Sequence, residues 1–211
     1  MNYTTVDRVK LEAIKTDLDT DDDLLELLVT GASRAIDRKV TGAAFNDATN
    51  YFEQADVSGE LLNGRINKDG NVVCAPRKPV VNSIASFEYR VSPLDNWQSI
   101  PTAVADGQFA VGWLQGAVQT STRTVCKVPG PAFVRISYNG GLAENEADLP
   151  ADLIELATLL CARFYREAET GLTDAIGVAE LGVLIYTKAW PVRFLGMLEP
   201  FIRRVGWSKL T

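Results

Sequence analysis

Side chains able to do chemistry are thinly supplied in this sequence, and the most versatile one is missing. Its 211 residues contain no histidine. That removes the commonest general base, the usual activator of a nucleophile and the commonest metal ligand. Carboxylate or lysine chemistry survives this test, so enzymes are made rarer rather than excluded. Two acidic clusters are the remaining candidates. The first, Asp17-Leu-Asp-Thr-Asp-Asp-Asp23, invites a calcium reading. An EF-hand loop needs glycine at its sixth place and glutamate at its twelfth, and counted from Asp17 those places hold Asp22 and Leu28. A helix-capping loop with an acidic surface accounts for the run better. The second cluster, Glu144, Glu146, Asp148 and Asp152, offers carboxylates that a hydrolase could pair. All four sit in a hydrophilic loop and first helical turn, where acids are common because they suit the helix dipole. No GxxxxGK[ST], GxGxxG or GxSxG occurs, so phosphate-loop, dinucleotide and hydrolase-elbow readings lack support. The expectation is a protein with no catalytic residue, no metal and no cofactor.

Composition bounds the rest. The chain is 46% hydrophobic and 23% charged, which suits a packed globular core of one domain or of a compact domain carrying an insertion. Cys74, Cys126 and Cys161 are far apart, odd in number and without CxxC spacing, as expected of free, mostly buried thiols in a reducing compartment. Asn2-Tyr3-Thr4 matches a glycosylation sequon, which means nothing without a secretory signal. The opening MNYTTVDRVKLEAIKTD has charges where a signal peptide needs an apolar stretch, and no apolar run approaches the ~18 residues that cross a bilayer. Maturation in a cytoplasm and no membrane partner are expected. The net charge of −6 is uneven: Lys188 to Thr211 carries +4, leaving −10 for the remainder. A mostly acidic body is a poor binder of nucleic-acid backbone. The block from Ala189 to Trp207 packs four large aromatics, a methionine and three arginines into 19 residues. That mixture fits an interface core or a terminal helix folded onto its own domain, and composition leaves both open.

The elements that would position these residues fall into two periods. Thr5 could cap a short helix to about Ile14. A strong helix runs from about Asp21 to Lys39, with Thr20 as N-cap and aspartates in its first turn. On it Leu24, Leu28, Gly31 and Ala35 form one stripe, Leu25, Val29, Ala32 and Ile36 an adjacent one, and Asp23, Glu26, Thr30, Arg34 and Asp37 the opposite side. Between about Ala43 and Tyr138 the pattern turns to alternation. Candidate strands are Tyr51 to Val57, Val80 to Val91, Gln108 to Trp113, Gln115 to Lys127 and Ala132 to Tyr138, with a hairpin whose turn contains Asp69-Gly70. Pro150 opens a second strong helix to about Glu167, burying Leu153, Leu156, Ala157, Leu160, Cys161 and Phe164. Leu181 to Tyr186 could be a strand, and a last helix starts near Pro191 and is stopped or kinked by Pro200.

Helices at both ends with strands between them imply an α+β fold: a small helical core with an inserted antiparallel β region. The expected division is 1–42 and 139–187 for the core, 43–138 for the insertion and 188–211 for a carboxyl-terminal segment. Leu24, Leu28, Ala35, Leu153, Leu156, Leu160 and Phe164 are the expected contacts between the two long helices.

Four segments, in order, resemble a family. Tyr3-Thr-Thr-Val-Asp-Arg-Val-Lys-Leu followed by Thr20-Asp-Asp-Asp-Leu-Leu-Glu-Leu-Leu and Val40-Thr-Gly-Ala-Ala-Phe45 looks like the start of tailed-bacteriophage head–tail connector (adaptor) proteins. Ala75-Pro-Arg-Lys-Pro-Val-Val-Asn-Ser-Ile-Ala-Ser-Phe-Glu-Tyr89 resembles the β insertion of the longer members. Val134-Arg-Ile-Ser-Tyr-Asn-Gly-Gly141, then Leu149-Pro-Ala-Asp-Leu-Ile-Glu-Leu-Ala157, is similar to the next helix, and Pro191 to Arg203 to the carboxyl end. The chain departs from the pattern at Phe201-Ile202 and in its long 168–189 connection. The resemblance implies a ring of copies, dodecameric, under the portal protein in a virion neck assembled in the host bacterial cytoplasm. Such a ring extends the channel for genomic double-stranded DNA, which passes without sequence-specific binding. It also gives the next neck (stopper) or tail-completion protein a surface. The family's carboxyl-terminal segment engages the portal, which here points to Trp190, Arg193, Phe194, Met197, Leu198, Phe201, Arg203, Arg204 and Trp207. Competing readings are another neck or tail-completion protein, and a small-ligand or enzymatic β module, which would need a deep pocket with clustered ionisable groups within 43–140.

Overall fold

The computed structural model describes residues 1–15, 19–41, 49–100, 109–112, 117–120, 129–170, 175–178, 183–186 and 190–202. They form two compact units, a helical one of Met1–Asn50 with Asn145–Ile202 and a sheet one beginning at Tyr51 and running to Glu144.

In the helical unit the Thr5 side chain accepts from the Arg8 N–H and caps α1 (Val6–Arg8), which continues as a π-helical turn over Val9–Ile14. Lys15 closes that turn in the left-handed region at φ 60°. α2 spans Asp22–Thr41. Its first helical hydrogen bond runs from Leu25 N–H to the Asp21 carbonyl at 2.9 Å, so Asp21 rather than Thr20 stands at the cap. α3 spans Ala151–Thr170 and packs against α2. Pro150 lies just outside it, its carbonyl accepting from Leu153 and Ile154. β8 (Ala175–Val178) and β9 (Val183–Tyr186) pair as an antiparallel hairpin. α4 (Val192–Leu198) packs on α3 and gives way at Pro200 to a 3-10 turn, Glu199–Phe201.

The core of this unit differs from the expected one in detail. Leu153, Leu156 and Leu160 are buried, but on α2 the buried positions are Leu25, Val29, Ala32, Ser33, Ile36, Asp37 and Val40. Leu24 is 36% exposed, and Leu28 and Ala35 are only half-buried. α2 carries two adjacent apolar stripes, and α3 covers one of them. Phe164 is half-buried because its neighbour Tyr165 takes the inward place. Asp37, expected on the wet side, is fully buried beneath the Tyr3 hydroxyl that donates to it.

The sheet unit is antiparallel, seven strands in the order β4-β3-β7-β1-β2-β6-β5. Two long strands organise it, β1 (Ala55–Ile66) and β7 (Gly130–Gly140), paired from Ala55↔Gly140 to Ile66↔Gly130. β3 (Val81–Arg90) lies on the other side of β7 and carries β4 (Gln98–Ile100). β2 (Val72–Cys74) follows β1 and pairs with β6 (Ala117–Thr120), which pairs with β5 (Phe109–Gly112). One face holds the core, with Phe87, Tyr89, Val134, Ile136 and Tyr138 at its centre. β7 alternates strictly between buried and half-buried positions from Ala132 onward, the period-two signature of a one-sided sheet. The turn joining β1 to β2 is held by Asn67, whose side-chain oxygen accepts from Asp69 N–H and Asn71 N–H, with Gly70 at φ 82°. Gly141, at φ 128°, lets the chain pass Glu53 where a Cβ would stand 2.3 Å from the Glu53 carbonyl oxygen.

Candidate interaction surfaces

In the helical unit the amino-terminal residues act as a clasp. Tyr3 N–H donates to the Ser33 hydroxyl at 3.0 Å, and the Tyr3 hydroxyl donates to Asp37, both on α2. Thr4 and Thr158 share a hydroxyl hydrogen bond at 2.7 Å, which ties the same segment to α3. Within Asn2-Tyr3-Thr4, Tyr3 and Thr4 are therefore locked into the fold while Asn2 stays exposed.

Part of the aspartate run has a structural purpose. The Lys10 ammonium donates to Asp19 at 2.7 Å and to Asp22 at 3.0 Å. The bond to Asp19 raises the Lys10 pKa above its ordinary value, and Lys10 in turn lowers that of Asp19. The Lys10 ammonium thus partners two carboxylates of that run. Asp21 accepts from the Tyr165 hydroxyl at 2.7 Å, with Glu169 at 3.0 Å from the same oxygen. These acceptors, Asp21 first, together with burial, push the Tyr165 phenol well above its usual range. Burial alone pushes the Cys161 thiol up to about 12. Each of these shifts moves the pKa of its group further from neutral pH. Among the described residues no three His, Cys, Asp or Glu side chains gather as a metal site, and no helix is long and apolar enough to cross a membrane.

The carboxyl-terminal segment is placed in part. Phe194 and Leu198 face inward at 9% and 0% exposure, so they hold α4 to its own unit instead of offering a contact surface. Trp190, Met197 and Phe201 are half-buried. Arg193 is exposed and pairs with Glu155 of α3 at 2.7 Å. Arg203, Arg204 and Trp207 lie outside the described residues, as does Cys126. α4 is therefore a terminal helix folded onto its own unit, with Val192 and Arg193 exposed on its outer side. Beside it a shallow cleft of about 450 Å³ opens between α3 and the amino-terminal helix, lined by Arg8, Glu12, Ala13, Ile154, Glu155 and Leu159 among others.

The sheet unit shows a different surface on the face away from its core. Arg90 and Arg135 lie over the Trp97 ring at 4.5 and 4.9 Å, and Arg90 stands 5.7 Å from the Phe133 ring. Arg135 is also ion-paired with Glu88 across β7 and β3, which raises its pKa. Leu61, whose register partner is Arg135, is exposed. The sequence reading passed over Trp97, for which the only signal is an aromatic beside a strand bearing arginine. Charge is segregated as well. Residues 51–144 hold eight acids and eight bases, so the excess of −10 outside the carboxyl-terminal segment belongs to the helical parts.

The class the fold defines is α+β, a helical unit interrupted by an antiparallel sheet unit. No protein-family profile and no curated protein matches the sequence. Among solved structures, a chain of the virion of a native gene transfer agent particle is 15% identical with a TM-score of 0.50, over 92% of this chain and 84% of that one. A chain of the neck of an empty gene transfer agent particle, computed with C6 symmetry, is 16% identical with a TM-score of 0.49, over 92% of this chain and 85% of that one. At such identity the likeness is one of fold.

Proposed function

We propose that this chain is a structural, non-enzymatic subunit of a phage-like virion neck. In this reading it forms a ring of twelve below the portal and extends the DNA channel toward the next neck or tail-completion protein. The observation that carries the reading is the ordered resemblance along nearly the whole chain, joined to a fold shared with a virion chain over 92% of this chain. The charge distribution supports it. A helical body of net −10 repels DNA phosphates and keeps a passing genome from adhering to the wall. The carboxyl-terminal segment reaches the portal through Trp190, Arg193, Met197, Phe201, Arg203, Arg204 and Trp207. Its aromatic and arginine anchors each contribute on the order of 2 kcal/mol in a desolvated contact. Phe194 and Leu198 contribute by fixing α4 beneath them.

Imaging the neck of assembled particles tests the reading directly, through the copy number and the neighbour of residues 190–211. A biochemical test removes residues 203–211 and leaves α4, with its buried Phe194 and Leu198, intact. The truncated protein should keep its circular dichroism and lose co-sedimentation with portal-bearing heads. Normal binding by this variant would move the portal contact elsewhere.

A further inference from the structure

On α2 the stripe of Leu25, Val29, Ala32 and Ile36 is buried, while the opposite side is open to solvent. That open face runs through exposed Leu24, Leu27 and Gly31 to half-buried Ala35, at helical spacing. Leu27 is 72% exposed, and a Cβ built on Gly31 would meet nothing within 4 Å. Large apolar side chains thus occupy the first half of this face and small ones the second. Charge follows the same axis: Asp23 is exposed at the start of the helix, Arg38 and Lys39 at its end.

We propose that this face docks a second copy of itself, two α2 helices crossing antiparallel about a two-fold axis at Gly31. Antiparallel overlay puts Leu27 of each helix on Ala35 of the other and Leu24 along the aliphatic stem of Arg38, with the two Gly31 residues at the crossing. It also sets Asp23 of each copy beside Lys39 of the other, so every charge contact occurs twice. A parallel arrangement would stack leucine on leucine and acid on acid. The match of size and charge along one helix is therefore self-complementary in one direction only, as an isologous contact requires. The absent Cβ at position 31 lets the two backbones approach where they cross. The contact is a property of the free chain and does not depend on the neck reading. Under that reading it is a resting pair, whose α2 faces separate when each copy takes unlike neighbours in a ring.

Sedimentation across a range of concentrations tests it on the full-length protein. The wild type should show a reversible monomer–dimer equilibrium. Asp23→Arg and Lys39→Asp should each weaken dimerisation by about tenfold or more, because like charges then meet twice, and the two changes in one chain should restore it. In a Cys126→Ser background, Gly31→Cys should oxidise to a covalent dimer with unchanged circular dichroism, while Glu26→Cys, on the far side of the helix, should not. A wild type that is monomeric throughout, a double variant that stays dissociated, or a Gly31→Cys protein that does not cross-link would each overturn the proposal. None of these results bears on what particle necks show, so failure here and failure of the neck reading are distinguishable.

Discussion

The two units reach stability by different routes. The sheet unit is charge-neutral and built on repetition: two long strands, a strict buried and half-buried alternation on β7, and one apolar face. The helical unit is acidic, and contacts between residues far apart in sequence close it. Tyr3 to Asp37, Thr4 to Thr158 and Tyr165 to Asp21 join the amino terminus, α2 and α3 through hydroxyl groups. Repetition tolerates small local changes, whereas a few long-range polar contacts decide which of several similar helix faces packs inward. The difference is between a core specified by pattern and a core specified by particular partners.

The largest test of that contrast compares deletions. Phe87→Ala in the sheet and Leu156→Ala on α3 remove fully buried side chains, and should cost about 3–5 and about 2–5 kcal/mol by denaturant unfolding. Leu24→Ala should change stability by no more than about 0.5 kcal/mol, although the sequence ranks Leu24 beside Leu156. Equal losses at Leu24 and Leu156 would show that both stripes of α2 are packed.

Next in size is the clasp. Tyr3→Phe keeps the ring and leaves buried Asp37 without its hydroxyl donor, so it should cost about 1–3 kcal/mol. A neutral result would deny the helical unit its reliance on distant polar partners.

A smaller effect is legible in pH. Asp19 is held below its ordinary value of 3.8 by Lys10, so its contribution is present above that pH and fades as pH falls through 3.8 and below. Lys10 is raised above its ordinary 10.5, so its contribution is present below that pH and is lost as pH rises through 10.5 and beyond. The gap in unfolding midpoint between wild type and Lys10→Met should therefore narrow between about pH 6 and about pH 3. A gap that stays constant would mean the pair contributes nothing. Smallest of all, Arg90→Ala should cost about 0.5–1 kcal/mol through lost stacking on Trp97, and should leave the helical unit unaffected.

How much of this was legible follows the same division. Alternation located β3 and β7, and Asp69-Gly70 located the turn between β1 and β2, because strand period and turn chemistry are local properties. The start of β1 was misplaced: Tyr51 and Phe52 are buried but precede the strand, which continues instead through Ser58, Gly59 and Glu60, residues without a strand signature. Both long helices were legible from their period. Which stripe of α2 faces inward was not, since Leu24-Leu28-Gly31-Ala35 and Leu25-Val29-Ala32-Ile36 are both free of polar side chains. The choice is made by Ser33 and Asp37, which follow the second stripe and meet Tyr3 some 30 residues away. Phe194 and Leu198 belong to an external contact only by the family resemblance, since composition leaves both readings open, and their burial against α3 is a contact no sequence pattern announces. Periodicity sees amphipathic faces but not the partners that select among them.

The two buried cysteines give the molecule a pair of clocks. Cys74 sits in the sheet unit and Cys161 in the helical unit, each wholly screened from solvent. With its thiol pushed up to about 12, Cys161 is almost entirely protonated at neutral pH and unreactive toward an alkylating reagent until its surroundings open. In a Cys126→Ser background, the rates at which positions 74 and 161 become labelled would time the opening of each unit separately. One cooperative molecule would keep a single time at both positions.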